Sequence, residues 1–189
     1  MKKSFGAKTL IFPTPAWVIC VYDSQGKATG MTAAWAGVVC SEPPALGVSV
    51  RKPRYTYQCL LDRKAFTVCV PSDTQARETD YFGIASGRNT DKFKDCGLTA
   101  VRSSLVDAPY IGEFPMIVEC RLIHHFDLGV HTQFVGEIID VKVDEDKLNA
   151  DGNPDIEKIR PLVYAPTVQE YHSLGPAVGR GYRLGKELK

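Results

Sequence analysis

The chain has 189 residues, with 23 lysines and arginines against 22 aspartates and glutamates, a formal net charge of +1. That balance excludes the broad basic field on which nucleic-acid and anionic-membrane binding rest, so an acidic ligand must be held by a local group of donors. Hydrophobic residues make up 44%, no apolar run approaches membrane-spanning length, and the length suits one domain over 1–189 that buries roughly 70% of its unfolded surface.

Met1-Lys2-Lys3-Ser4 has the charge of a signal n-region, but Pro13 and Pro15 interrupt the residues after it and no apolar h-region develops. The expectation is a cytoplasmic protein without a signal peptide. Trp17 to Tyr22 is an apolar run of strand type, Asp23-Ser-Gln-Gly26 supplies turn chemistry, and Lys27 to Thr32 returns as the second arm of a hairpin. Ala36 to Cys40 and Ala45 to Val50 are two further strands. Ser41-Glu-Pro-Pro44 separates them, since prolines cannot sit in a paired central strand. Tyr55 to Leu61 predicts two helical turns after Pro53, and Ala65 to Val70 a strand stopped by Pro71. Asp73 to Ile84 predicts a helix, as does Asn89 to Cys96, which opens on cap-type residues and has Gly97 at the position after its end.

The strongest β signal comes late. Pro115 to Phe126 and His131 to Val143 are long runs rich in Ile, Val and Phe, joined by the turn Asp127-Leu-Gly129. In the second run Val135, Ile139, Val141 and Val143 alternate with Gly136, Asp140 and Lys142, which predicts one buried face, with a break at Glu137-Ile138. A polar loop comes next around Asp151-Gly152, then one helical turn at Ile156 to Ile159. The Gly-rich basic tail from Gly175 is expected to fray or to pack on a partner. So many short strands in one domain predict a mainly β protein, a closed or partly closed barrel with a few short flanking helices.

Six cysteines stand at 20, 40, 59, 69, 96 and 120, none in CxxC spacing. Neither a zinc site nor a redox dithiol is indicated, and Cys20, Cys40, Cys69 and Cys120, in apolar runs, are expected to be reduced core thiols. Adjacent His124 and His125 point to opposite faces of a strand and cannot share a metal. Asp144-Glu145-Asp146 and Asp151-Gly152-Asn153 lack calcium-loop spacing, so no metal is expected. The GxxxxGK[ST] and GxGxxG spacings are absent.

Three clusters carry the functional signal. Met31-Thr32-Ala33-Ala34-Trp35 lies just after a strand: its small residues let backbone approach a flat ligand, and Trp35 offers a stacking face. Ser49-Val50-Arg51-Lys52-Pro53-Arg54-Tyr55-Thr56 gathers three cations and several hydroxyls at a strand end, the chemistry of a phosphate grip. In Ser86-Gly87-Arg88-Asn89-Thr90-Asp91-Lys92-Phe93, Gly87 permits a tight turn, free N–H groups at a helix start attract anions, and Lys92 lies in the first turn. His131, at the start of the late strand, is a further candidate. Taken singly, each is also what a core tryptophan, a solvated basic loop or a rim histidine would look like.

Read in order, the chain resembles the flavin reductase-like family, most closely its flavoredoxin branch. The resemblance rests on Gly30-Met-Thr-Ala-Ala-Trp35, Ser41-Glu-Pro-Pro44 with Gly47-Val-Ser-Val50, Arg54-Tyr-Thr56, Phe66-Thr-Val-Cys-Val-Pro71, Ser86-Gly87 with Asp91-Lys-Phe93, and Ala108-Pro109. Glu119-Cys120, Val130-His131 with Phe134-Val-Gly-Glu137, and Tyr171-His-Ser-Leu-Gly175 complete it. It implies a split β-barrel of Greek-key type that dimerises, with FMN near the subunit interface. By that resemblance Met31 to Trp35 border the isoalloxazine, and Ser49, Val50 and Arg51 continue the pocket. Thr56 and Lys92 help hold the phosphate, Arg54, Tyr55, Ser86, Gly87 and Phe93 are further cofactor-binding candidates, and His131 sits near the open face. Where the family often has an asparagine, Thr29 and Gly30 stand, so no side-chain amide contact is expected there. Three functions are open: an electron carrier exchanging with protein partners, a flavin reductase using NADH or NADPH, and a non-enzymatic binding module for another ligand. Trp35 favours the carrier, because a bulky ring beside the flavin obstructs nicotinamide stacking.

Overall fold

The computed structural model describes residues 1–188. A two-residue strand β1 (Thr14–Pro15) leads into β2 (Trp17–Tyr22). The chain then turns on Asp23, whose carboxylate accepts the backbone N–H groups of Gln25 and Lys27 at 2.9 Å each, and returns as β3 (Ala28–Ala33). Ala34 and Trp35 alone separate β3 from β4 (Ala36–Ser41), which pairs with β5 (Pro44–Arg51) across the Glu42-Pro43 turn. Pro44 is accommodated because it opens its strand, where a missing N–H is tolerated. Helix α1 (Tyr55–Arg63) ends on Lys64 in the left-handed conformation and gives way to β6 (Ala65–Val70). A 3-10 turn (Asp73–Gln75) runs into α2 (Ala76–Ile84), and then come α3 (Lys92–Cys96), β7 (Ala100–Arg102) and β8 (Pro109–Ile111). The long hairpin is β9 (Met116–Leu128) and β10 (His131–Val143). One helical turn, α4 (Ile156–Ile159), precedes the short hairpin β11 (Val163–Ala165) and β12 (Glu170–His172).

Seven strands form an antiparallel sheet in the order β3-β2-β6-β9-β10-β5-β4. Its two edge strands, β3 and β4, are consecutive in sequence, so the sheet must curl until its edges meet at the Ala34-Trp35 link, yet they share no ladder. The result is a mainly β barrel, split along that seam. Its interior holds Ile19, Leu46, Val48, Val50, Phe66, Val68, Val118 and Phe134. A second core of Val18, Cys20, Cys69, Phe82, Phe93, Ile111 and Phe114 packs α2, α3 and β8 against the outside of β2 and β6. Burying both faces of β2 and β6 explains why these strands read as continuous apolar runs rather than as alternations.

Three expectations are corrected. The first concerns β10. Its register with β9 shifts between Val135 and Gly136 and again between Ile138 and Asp140. Up to Gly136 the buried residues are Thr132, Phe134 and Gly136, with Val135 on the other face; past the second shift Val141 and Val143 stand opposite Val118 and Met116. An extra residue flips the side chains beyond it to the opposite face, so Val135 and Val141 do not share one. Second, the helix expected from Asn89 begins at Lys92, because Asn89 and Thr90 instead donate their N–H groups to the Ser86 carbonyl in a turn. Third, Cys40 is exposed rather than a core thiol, since it lies near the end of the edge strand β4. In the tail, residues 175–186 are exposed, and among the described residues a 3-10 turn runs over Leu184–Leu188.

The barrel interior is close-packed at Gly136, where a Cβ would lie 2.5 Å from Phe66 Cζ and 2.7 Å from Cε1. Neither a fully buried ring nor the β9–β10 ladder can yield easily, so Gly136→Ala should cost about 1–3 kcal/mol through overpacking. A lowered urea midpoint with an unchanged slope would register this, while an unaltered midpoint would show that Phe66 has room to move.

Candidate functional site

Two adjoining cavities open at the seam. The first, about 310 Å³, lies between the start of α1 and the Ala85–Gly87 turn, and is lined by Gly30, Met31, Arg51, Pro53, Arg54, Tyr55, Thr56, Ile84, Ser86, Gly87 and Lys92. The second, about 260 Å³, shares Met31, Arg51, Arg54 and Ile84 with it and continues to Thr32, Ala33, Ala34, Trp35, Ser49 and His131. Strand alternation places these residues. Ser49 and Arg51 stand on one face of β5, and across the ladder they meet Gln133 and His131 of β10. Ser49 Oγ is hydrogen-bonded to Gln133 Oε1, and its N–H donates to the Trp35 carbonyl at 2.8 Å, which ties the seam link to β5. Val50, between them, points into the barrel and lines neither cavity. Phe93 is likewise turned away, packing edge-on against Phe82 with centroids 5.4 Å apart. Lys52 and Arg88 line a separate opening beside α1, and Asn89, Thr90 and Asp91 line neither cavity; the remaining candidates named from the sequence line one cavity or both.

The first cavity is polar and cationic. Lys92, only 4% exposed, donates from Nζ to the carbonyls of Gly30 and Phe82, each at 2.8 Å. An ammonium has three N–H groups, so one is left for the cavity that Lys92 lines. Burial, and secondarily the nearby Arg54 cation, push its pKa down to about 8. Arg54 reaches across to the Gly83 carbonyl at 2.8 Å. Thr56 Oγ1 is buried in the wall without a hydrogen-bond partner, a deficit that native interiors rarely leave unless something else fills it. Gly87 closes the far side: a Cβ there would overlap Thr29 Oγ1 and come within 2.8 Å of the Tyr55 ring. The five-residue α3 is capped by Asp91, whose Oδ1 accepts from Lys94 N at 3.3 Å. It is therefore not the helix-start anion site that the sequence suggests; side chains carry the positive charge instead.

The second cavity is more aromatic, and it has walls the sequence did not reveal. Asp80, Gly83 and Ile84 come from α2, while Ala16, Tyr164 and Tyr171 come from the strands outside the barrel. Tyr164 and Tyr171 face each other across the β11–β12 ladder with ring centroids 5.1 Å apart, and Tyr171 Oη donates to Asp80 Oδ1 at 3.0 Å. Tyr171 belongs to the Tyr171-His-Ser-Leu-Gly175 stretch that carries the family resemblance, but nothing in that stretch assigns it to the site, and three-residue strands are too short to show a period. Among the described residues no group of three or more His, Cys, Asp or Glu could hold a metal, and no helix is long and apolar enough to cross a membrane.

A slot with aromatic walls, sharing Met31, Arg51, Arg54 and Ile84 with a pocket of cations and an unpaired hydroxyl, fits a planar ring carrying a phosphate. The comparisons agree with that fit. The profile of the flavin reductase like domain matches residues 9–175. The structure of flavoredoxin from Desulfovibrio vulgaris (Miyazaki F) superposes with a TM-score of 0.94 at 50% identity, covering 98% of this chain and 100% of that one. Flavoredoxin from Methanosarcina acetivorans superposes with a TM-score of 0.90 at 29% identity, with both chains covered in full (100%). An uncharacterized protein of Archaeoglobus fulgidus is 35% identical over 142 residues, 75% of this chain and 79% of that protein. The chain belongs to the flavin reductase like family of flavin-binding split barrels.

Proposed function

We propose that the protein is an FMN-containing electron carrier of the flavoredoxin type, which keeps its flavin bound and exchanges electrons with protein partners. The observation that carries this reading is the continuity of the aromatic slot with the cationic pocket. When bound, the flavin supplies the electron chemistry, and the protein's part is to hold, orient and screen it. Met31 to Trp35 border the ring, with Ser49 and His131 completing the slot. Arg51, Arg54, Lys92 and Thr56 hold the phosphate, and Tyr55, Ser86 and Gly87 close the pocket around it. Similarity to flavoredoxins at both 50% and 29% identity favours the carrier, as do the three aromatic side chains around the slot, which crowd a stacking nicotinamide. Reduction of flavin by NADH or NADPH is the second reading, favoured by the family to which the chain belongs.

The protein acts as a homodimer in the cytoplasm on this reading. Val38 and Val39 on the edge strand β4 are 71% and 55% exposed, and Val130 in the turn between β9 and β10 is 68% exposed, apolar surface that a second copy would cover.

The purified protein should be yellow, with the absorption of an oxidised flavin, and should oxidise NADH slowly. Rapid NADH turnover with added flavin would move the assignment to reductase, and a colourless protein that rejects FMN would move it to a binding module for another ligand. Lys92→Ala should weaken FMN about 10- to 150-fold, the worth of one charge-assisted hydrogen bond, and leave riboflavin nearly unaffected. Equal FMN affinity in a fluorescence titration would remove Lys92 from the phosphate grip.

Lys92 also sets a pH dependence. A bound phosphate favours the ammonium, so the lysine pKa is higher in the complex than the value of about 8 without it. Affinity is then fully present below that value and falls as pH rises through it, by up to about tenfold between pH 7 and 9. Lys92→Arg, which stays charged, should flatten the profile; a wild-type profile already flat would show that Lys92 does not change its proton occupancy. Light scattering should give twice the chain mass of 20.8 kDa, and a monomer at micromolar concentration would overturn the dimer.

A further inference from the structure

The outer wall of the aromatic slot belongs to no barrel strand. β1, β11 and β12 form a separate three-stranded sheet in that order. β11 is the central strand, paired on one side with β1, where Thr14 Oγ1 also donates to the Tyr164 carbonyl at 3.2 Å. Among the described residues β12 is an edge strand, paired with β11 alone. Just past its end, Ser173 Oγ donates to Asp73 Oδ2 at 2.9 Å, an oxygen that also accepts Arg160 Nη2 at 2.9 Å. β12 is thus pinned at its far end. Over the cavity its tie is the Tyr171 phenol, which reaches Asp80 of α2 on the opposite wall at 3.0 Å. Burial first, and then the Asp80 carboxylate, hold the Tyr171 pKa well above the ordinary tyrosine value, so the phenol remains a donor at any working pH.

We infer that Tyr171 and Asp80 are positioning residues forming a latch that holds β12 over the ring end of the flavin cavity, and that this latch selects against partners that must stack on the ring. The inference rests on the FMN reading above. Transfer of a hydride from a nicotinamide, which leaves as its oxidised form, requires direct contact with the ring. Single-electron exchange does not, because an electron can pass through a tyrosine wall. A closed latch therefore admits electron-transfer partners and excludes stacking donors and quinone-like acceptors. Opening it costs one hydrogen bond to a carboxylate, while β12 keeps its ladder to β11 and its Ser173–Asp73 tie, so the change is confined to the cavity wall.

The test compares the FMN-loaded wild type with Tyr171→Phe, Asp80→Ala and Asp80→Asn. Tyr171→Phe keeps the ring and loses the donor; Asp80→Ala and Asp80→Asn are both uncharged, but only the asparagine keeps an acceptor oxygen. Iodide quenching of bound-flavin fluorescence and anaerobic reduction by NADH should rise about three- to tenfold in Tyr171→Phe and Asp80→Ala, the population gain from losing one hydrogen bond. Oxidation of the reduced protein by ferricyanide, which needs no stacking, should stay within about twofold. Asp80→Asn should restore most of the protection seen in wild type. Unchanged quenching and NADH rates in Tyr171→Phe and Asp80→Ala would overturn the inference, as would a parallel rise with ferricyanide. Wild type that holds no FMN overturns the functional reading and the partner selection with it. The latch itself is then decided in the flavin-free protein: faster amide hydrogen exchange over residues 163–172 in Tyr171→Phe sustains it, and unaltered exchange removes it.

Discussion

A buried lysine holds the site together. Lys92 begins α3, yet its Nζ reaches back to carbonyls on β3 and on the last turn of α2. Those are the edge strand of the barrel and the helix that supplies one wall of both cavities. An ammonium is costly to bury unless its protons are matched by acceptors. Here two main-chain carbonyls take two of them, and the third faces an opening that an anion can fill. The same atom therefore fixes the relative position of β3, α2 and α3 and leaves a donor toward ligand. Structure and binding are not separable at this residue.

Around it, sheet geometry does the sorting. The curl that brings β3 and β4 together leaves Ala34 and Trp35 as a hinge of small and flat residues at the seam. Alternation along β5 sends Val48 and Val50 into the barrel and Ser49 and Arg51 toward the cavities. The antiparallel register with β10 then sets His131 beside Arg51 and Gln133 beside Ser49, although more than 80 residues separate Ser49 from Gln133 (|i−j| = 84). A one-residue slip of that ladder would exchange the core for the site.

Much of this is legible in the sequence. The hairpins declare themselves through apolar runs broken by Asp, Gly and Pro, and the clusters around Trp35, Arg51 and Lys92 are placed by residue chemistry and by the order in which they occur. The remainder is hidden for physical reasons. The faces of β10 cannot be assigned because a bulge leaves no trace in composition, only a break in alternation at Glu137-Ile138. The helix at Asn89 reads too long because Ser86 to Thr90 carry residues that favour helix caps and turns alike, and only the hydrogen bonds to the Ser86 carbonyl decide between them. Tyr164 and Asp80 go unnoticed, and Tyr171 is noticed without a site role, because their meeting depends on a tertiary contact between α2 and strands too short to show a period.

The strand order also governs when the barrel can exist. β2 pairs with β6, β6 with β9, and β5 with β10, so each half of the sheet waits on the late hairpin for its neighbour. As the chain leaves the ribosome, β2 to β6 emerge first, apolar and lacking the strands that will cover them. The β9–β10 hairpin, local in sequence and the longest ladder in the fold, offers both its edges as templates once it is made. Closure is thus dominated by contacts distant along the chain, the topology associated with slow folding and with exposure of sticky intermediates on the way. For this protein the vulnerable interval is the one between synthesis of β6 and synthesis of β10, and a holding chaperone would find its substrate there.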